Sequence, residues 1–154
     1  MASFKLDLNQ PEDIPINICM NLILRGQEKY FKQHLMDVDI NPAELPILVQ
    51  LYLTSGITQR TIAKSLYLTE SSVAKSLKNL ENKDIVCRKV DPNKKNRNLV
   101  YLTKKGNEIT SNLLHLGDEW ERFIISEVSE EDRKVFKNVL YDLCILSAKF
   151  INES

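Results

Sequence analysis

The sequence predicts a mainly α-helical protein with one small β-hairpin, and three observations point there. Apolar residues recur at helical spacing over most of the chain, as in Ile109, Leu113, Leu116, Trp120 and Phe123. After Asp84 the period changes: VCRKVD and then NLVYL (98–102) alternate as half-buried strands do, with the turn-rich PNKKNR between them. Charge singles out the same region. Of the 21 Lys and Arg, 12 lie between Thr58 and Lys105, against four of the 21 Asp and Glu, a local +8 in a chain of zero net charge. A basic middle inside an acidic chain is the footprint expected of a nucleic-acid module, although a cluster of solvated lysines would look the same.

Taken in order, a first helix is expected over about Ile14 to Met36, with Ile16, Met20, Ile23, Phe31 and Leu35 on its apolar side. The second should open at NPAE, with Asn41 as N-cap, Pro42 at N1 and Glu44 reaching back from N3. Pro46 should cost it one backbone bond, and Gly56 can end it with positive φ. Thr58 caps a short helix over Gln59 to Leu66. Thr69 caps the next, which runs to about Lys83 and stops at Asp84. After the hairpin, Thr103 caps a long helix, and SEED at 129–132 reads as the cap and acidic first turn of the last one. The length, 154 residues, suits one domain.

The stretch TQRTIAKSLYLTESSVAKSLKNLENKDIV decides the functional reading. At 100° per residue, Val73, Leu77 and Leu80 fall on one side and can pack against Ile62 and Leu66. Ser71, Lys75, Lys78 and Asn82 line the other, flanked by Ser72 and Asn79. Small hydroxyls near the N-terminus with long cations behind them suit a helix entering a major groove. Lys75 is the candidate base reader, with Ser71 and Ser72 beside it; Lys78 and Asn79 are candidate backbone contacts. Lys94, Lys95 and Arg97 project from the hairpin, where an arginine can enter a minor groove and lysines can neutralise phosphates. Helix, turn, helix and basic hairpin in this order make a winged helix-turn-helix.

The same residues resemble the MarR family of bacterial and archaeal transcription regulators. Ile62-Ala63, Ser71-Ser72-Val73, Arg88 and Leu102-Thr103-Lys104-Lys105-Gly106 occupy the family's motif positions, without gaps from about Ile57 to Gly106. Three departures stand out. Asp84 sits where the family often has glycine. Asn79 replaces an arginine common in the recognition helix. The family's Asp-x-Arg wing tip reads Lys94-Lys95-Asn96, so its arginine position is Asn96 and Arg97 comes one residue later.

Without a signal peptide a cytoplasmic location is the default; the apolar outer helices and the few base pairs one module can contact suggest a homodimer on a palindromic operator of double-stranded DNA, and the resemblance implies a repressor. Residues 39–103 would be the DNA-binding domain, and 1–38 with 104–154 a helical dimerisation region. Trp120, Leu140, Leu143, Cys144 and Ile151 are candidates for the dimer interface, and equally readable as intramolecular core. The implied effectors are small aromatic or amphipathic anions, with Arg25, Tyr30, Tyr52 and Tyr67 as candidate contacts and plain packing as the alternative. Some family members sense peroxide through a first-helix cysteine, but the apolar neighbours of Cys19 predict a buried, inert thiol.

Other classes are disfavoured. Cys19, Cys87 and Cys144 form no CxxC pair, so neither a disulfide framework nor a metal site is expected, and no cofactor. His34 and His115 read as surface histidines. No phosphate-cradling glycine loop, nucleophile elbow or paired metal histidines suggests an enzyme. No apolar run of membrane-spanning length exists, and MASFKLDLNQPEDI lacks the apolar centre of a signal peptide. The remaining rival is a winged-helix protein–protein adaptor without specific DNA binding.

Overall fold

The computed structural model describes residues 14–34 and 39–153. The order is α1 (Ile16–His34), α2 (Leu45–Leu53), α3 (Gln59–Ser65), α4 (Glu70–Asn82), β1 (Val86–Asp91), β2 (Lys94–Leu102), α5 (Lys104–Ile124) and α6 (Glu130–Glu153). The helix α1 belongs to one compact unit and the elements from α2 onward to a second. Among the described residues, mainly helical architecture with one two-stranded antiparallel hairpin is as the periodicity predicts. The expected extension of α1 through Leu35 and Met36 lies outside the described residues.

No residue of α1 is buried, and Ile16, Met20 and Ile23 all stand exposed. Cys19 is exposed with them, contrary to the expectation of a buried thiol: its apolar sequence neighbours Ile18 and Met20 are exposed as well. All three cysteines are free.

The start of α2 also differs from expectation. The Asn41–Glu44 pair forms, with Glu44 Oε2 accepting from the Asn41 N–H at 3.0 Å and Asn41 Oδ1 accepting from the Ala43 N–H at 3.0 Å. It closes a turn rather than a helix. Pro46 has no N–H to give the carbonyl of Pro42, so the regular ladder begins only at Leu45. The Glu44 side chain is then buried, 3.6 Å from Lys83 Nζ, and Lys83 also donates to the Asp39 carbonyl at 2.5 Å. This ties the entry of α2 to the exit of α4.

The core of the second unit is Ile47, Leu48 and Leu51 of α2, Ile62 and Ala63 of α3, Val73, Leu77 and Leu80 of α4, with Ile85, Val86, Val100 and Leu113. Thr58 and Thr69 cap α3 and α4 as expected, accepting from the N–H groups of Thr61 and Ser72. Both helices end the same way. The Leu68 N–H donates to the Ala63 carbonyl and the Ile85 N–H to the Leu80 carbonyl, each at 2.9 Å, across a residue of positive φ. Those residues are Tyr67 (φ 54°) and Asp84 (φ 55°), in a position glycine fills at least cost. Replacing Tyr67 by glycine should therefore stabilise the chain by about 1 kcal/mol in urea melts, and Asp84→Gly by less, since aspartate tolerates this backbone better.

The start of α5 closes over the end of α4. Thr103 caps α5 by accepting from the Gly106 N–H at 3.0 Å, and its hydroxyl lies 2.8 Å from the Asp84 carbonyl, donating to it. The Lys105 ammonium donates to the Lys83 carbonyl at 2.8 Å. A Cβ on Gly106 would stand 2.0 Å from the carbonyl oxygen of Ile85. The LTKKG motif is thus a capping and close-approach device. Gly56, three residues past α2, has φ 73° and lies under the Tyr101 ring, and Ile57 then pairs with Val100 beside the hairpin.

Ser129 caps α6 as predicted, accepting from the Asp132 N–H at 3.1 Å, and Arg133 donates to the Ile125 carbonyl at the end of α5. Trp120 is 9% exposed, so it belongs to the chain's own core rather than to an interface. Of the described side chains of α6, none is buried. Leu140, Leu143, Cys144 and Ile151 are exposed, together with Val139 and Leu146.

Candidate nucleic-acid interface

The apolar face of α4 is sunk in the core, which fixes what the opposite face presents. Ser71, Ser72, Lys75, Lys78, Asn79 and Asn82 are all exposed along it. Thr69 holds the helix start, with its hydroxyl also 3.1 Å from that of Ser71. The first turn carries free backbone N–H groups and the positive end of the helix dipole, where phosphate oxygens bind well.

Some cations of the basic stretch are spent on acids and others are not. Lys83 is spent on Glu44 and Asp39, Arg88 on Glu81 (Nε to Oε1, 3.0 Å), Arg97 on Asp91, and Arg60 stands 4.0 Å from Glu70. Lys75, Lys78, Lys94 and Lys95 form no ion pair among the described residues and are exposed. Three of the four acids in the stretch are thus answered by arginines, and the lysines of α4 and the hairpin tip are left facing outward.

The hairpin pairs Val86 with Leu102 through Val90 with Asn98, and then Asp91 with Lys94. The register jumps there, so residues 95–97 are an excess on β2. The connection itself is only Pro92-Asn93, shorter than the expected PNKKNR tip, because Lys94 already pairs. Asp91 is 1% exposed. Its Oδ1 accepts from the Asn93 N–H at 2.8 Å, and its Oδ2 accepts from Arg97 Nε at 2.6 Å, with Arg97 Nη2 on the same oxygen. The Asn93 N–H, against the opposing effect of burial and with help from Arg97, holds the Asp91 carboxyl below the usual aspartate range. A lowered folded value means that its contribution is present above the ordinary aspartate pKa and is lost as pH falls through the lowered one. Arg97, expected to project freely, is instead folded back onto Asp91.

Sequence reasoning missed two residues at this surface. Gln59 donates from Nε2 to the Glu70 carbonyl at 3.3 Å, joining the starts of α3 and α4, and Arg60 beside it is strongly exposed. Arg60 was visible as part of the basic stretch, but its nearness to the α4 N-terminus depends on the turn at Tyr67. Lys89 also lies over the Tyr101 ring, 5.2 Å from its centroid.

Residues 40–95 match the model of the MarR family. The match spans α2 to β1. It is 24% identical over 102 residues to the transcriptional regulator HosA of Escherichia coli O111:H-, covering 66% of this chain and 76% of HosA. It is 22% identical to the HTH-type transcriptional regulator MhqR of Bacillus subtilis (strain 168), covering 92% of this chain and 98% of MhqR. Among solved structures, an S. aureus MepR–DNA complex superposes with a TM-score of 0.76 at 28% identity, covering 86% of this chain and 98% of that one. The fold matches the MarR-family winged helix.

The four residues considered for an effector fall in different places. Arg25 and Tyr30 are on α1. Arg25 lines a surface hollow there with Glu28, Lys29, Lys32 and Gln33, and the Tyr30 ring stacks on His34 at 4.1 Å. Tyr52 is exposed on α2, and Tyr67 is exposed in the α3–α4 turn. Among the described residues, no group of three His, Cys, Asp or Glu could hold a metal ion, and no helix is long and apolar enough to cross a membrane.

Proposed function

We propose that this chain is a MarR-family regulator and acts as a homodimeric, sequence-specific repressor of a palindromic operator, released by a small-molecule effector. The observation that carries DNA binding is the set of unpaired, exposed lysines: Lys75 and Lys78 on α4, Lys94 and Lys95 at the hairpin. Ser71, Ser72 and Lys75 read base edges in the major groove, while Lys78, Asn79, Lys94 and Lys95 contact the phosphate backbone. The similarity to S. aureus MepR, solved in complex with DNA, supports DNA as the partner.

Dimerisation is supported by what the single chain leaves uncovered. A helix in water draws most of its stability from packing an apolar face. Yet α6, of 24 residues, buries no described side chain, and α1 exposes Ile16, Met20, Ile23 and Leu24. Pairing these helices with their copies would place two recognition helices about 34–36 Å apart, one turn of duplex. An effector would act by preferring a dimer with the wrong spacing. Around the α1 hollow Lys32 is paired with Glu28, and the remaining cations, Arg25 and Lys29, favour an anionic one.

Salt titration tests the arrangement. Each phosphate contact contributes about 0.9 to the slope of log K against log salt. In a dimer every substitution acts twice, so Lys78→Ala should lower the slope by about 1.8 and weaken all sequences alike. Lys75→Ala should instead relax preference at particular base pairs, by about 1–3 kcal/mol each. Affinity for duplex that ignores salt would remove the reading and favour the adaptor.

A further inference from the structure

Resting on the DNA-binding reading, we infer that this wing engages the duplex backbone through Lys94 and Lys95 and inserts no arginine into the minor groove, Arg97 serving as a positioning residue held on the buried carboxylate of Asp91. At the position where the family's wing arginine falls, this chain has Asn96. The nearest guanidinium is that of Arg97, and it is already committed. Its Nε and Nη2 both meet Asp91 Oδ2, and Asp91 cannot follow it outward, being 1% exposed and anchored by the Asn93 N–H. Pulling Arg97 into a groove would leave a buried carboxylate without its cation, a loss that groove contacts would first have to offset.

The excess of residues 95–97 on β2 explains what the pair does instead. These residues have no partner on β1, so the ladder does not fix their course. The ion pair closes the excess segment from its far end, at Arg97, while Pro92-Asn93 closes the near end. Lys94 and Lys95 lie between these two fixed points, both exposed and neither ion-paired among the described residues. Lysine is a point charge suited to phosphate, whereas a narrow A·T minor groove chiefly attracts arginine. The wing thus adds affinity and salt dependence without sequence preference under it.

Two measurements test this. On duplexes recovered by the full-length chain from random sequence, the base pairs flanking the symmetric motif are replaced in turn by G·C, A·T and I·C. Inosine lacks the guanine 2-amino group, so G·C and I·C differ at the minor-groove floor. Affinities within about twofold across the three series are expected; preference of fivefold or more for A·T and I·C, lost in Arg97→Gln, overturns the inference. The second is the sign of the Asp91→Asn effect, in a variant shown by circular dichroism to be folded. A positioning pair predicts weaker binding by about three- to tenfold, although a negative charge near DNA has been removed. Unchanged or tighter binding would mean that Arg97, once released, reaches the DNA. Absence of salt-dependent duplex binding in the unmodified chain would instead sink the DNA-binding reading itself.

Discussion

Gly106→Ala should destabilise the protein by about 3 kcal/mol or more, lowering the thermal midpoint by roughly 10 °C. The added methyl would stand 2.0 Å from the Ile85 carbonyl oxygen, a backbone atom that already accepts from the Thr103 N–H at 3.0 Å. No rotamer change relieves that contact. Either α5 lifts from the end of α4, or the turn at Asp84 opens, and in both cases the Thr103 and Lys105 bonds to that turn weaken together. Gly117, on the same helix, is the internal control. A Cβ there meets nothing within 4 Å, so Gly117→Ala should stabilise by up to about 1 kcal/mol through helix propensity alone. Equal effects at the two positions in urea melts would show that the packing of α5 on the turn has been misread.

The second large effect concerns α6. Leu143→Asp should yield a monomer by sedimentation, with operator affinity reduced by about 10²–10⁴-fold, because binding two half-sites through one molecule is lost. Leu143 is 39% exposed in the single chain, so the substitution leaves the lobe core of Ile62, Val73, Leu77 and Leu80 untouched. A charge buried in the paired state would have no partner. The residual binding should show about half the original salt slope, since one lobe carries half the phosphate contacts. A variant that stays dimeric, or keeps the full slope, would move the interface elsewhere.

What was legible in the sequence follows the range of the interactions. The caps at Thr58, Thr69, Thr103 and Ser129 are local, each a hydroxyl serving an N–H three residues on, and all are found where expected. The apolar face of α4 is local too, and its core side is as the periodicity predicts. The start of α2 was misplaced because a capping pair and a proline within one turn compete, and the missing N–H at Pro46 prevails. The positive φ of Tyr67 left no signal, since neither glycine nor asparagine marks it. The pairing of Arg97 with Asp91 requires knowing that the hairpin register jumps by the length of residues 95–97, which alternation alone does not reveal. Trp120 and Leu143 occupy similar apolar positions in the sequence pattern, and only packing separates core from uncovered surface. The exposure of Cys19 was missed for the same reason: apolar neighbours along a helix do not by themselves make a buried site.

The most direct test of the central claim is selection of bound duplexes from random sequence by the full-length chain, followed by footprinting of the recovered motif. Paired lobes presenting Lys75 and Lys78 to successive major grooves predict a two-fold symmetric motif, with half-site centres about 10 base pairs apart and protection on one face of the duplex. Recovery of an asymmetric single site, or of no enriched sequence at all, would contradict it.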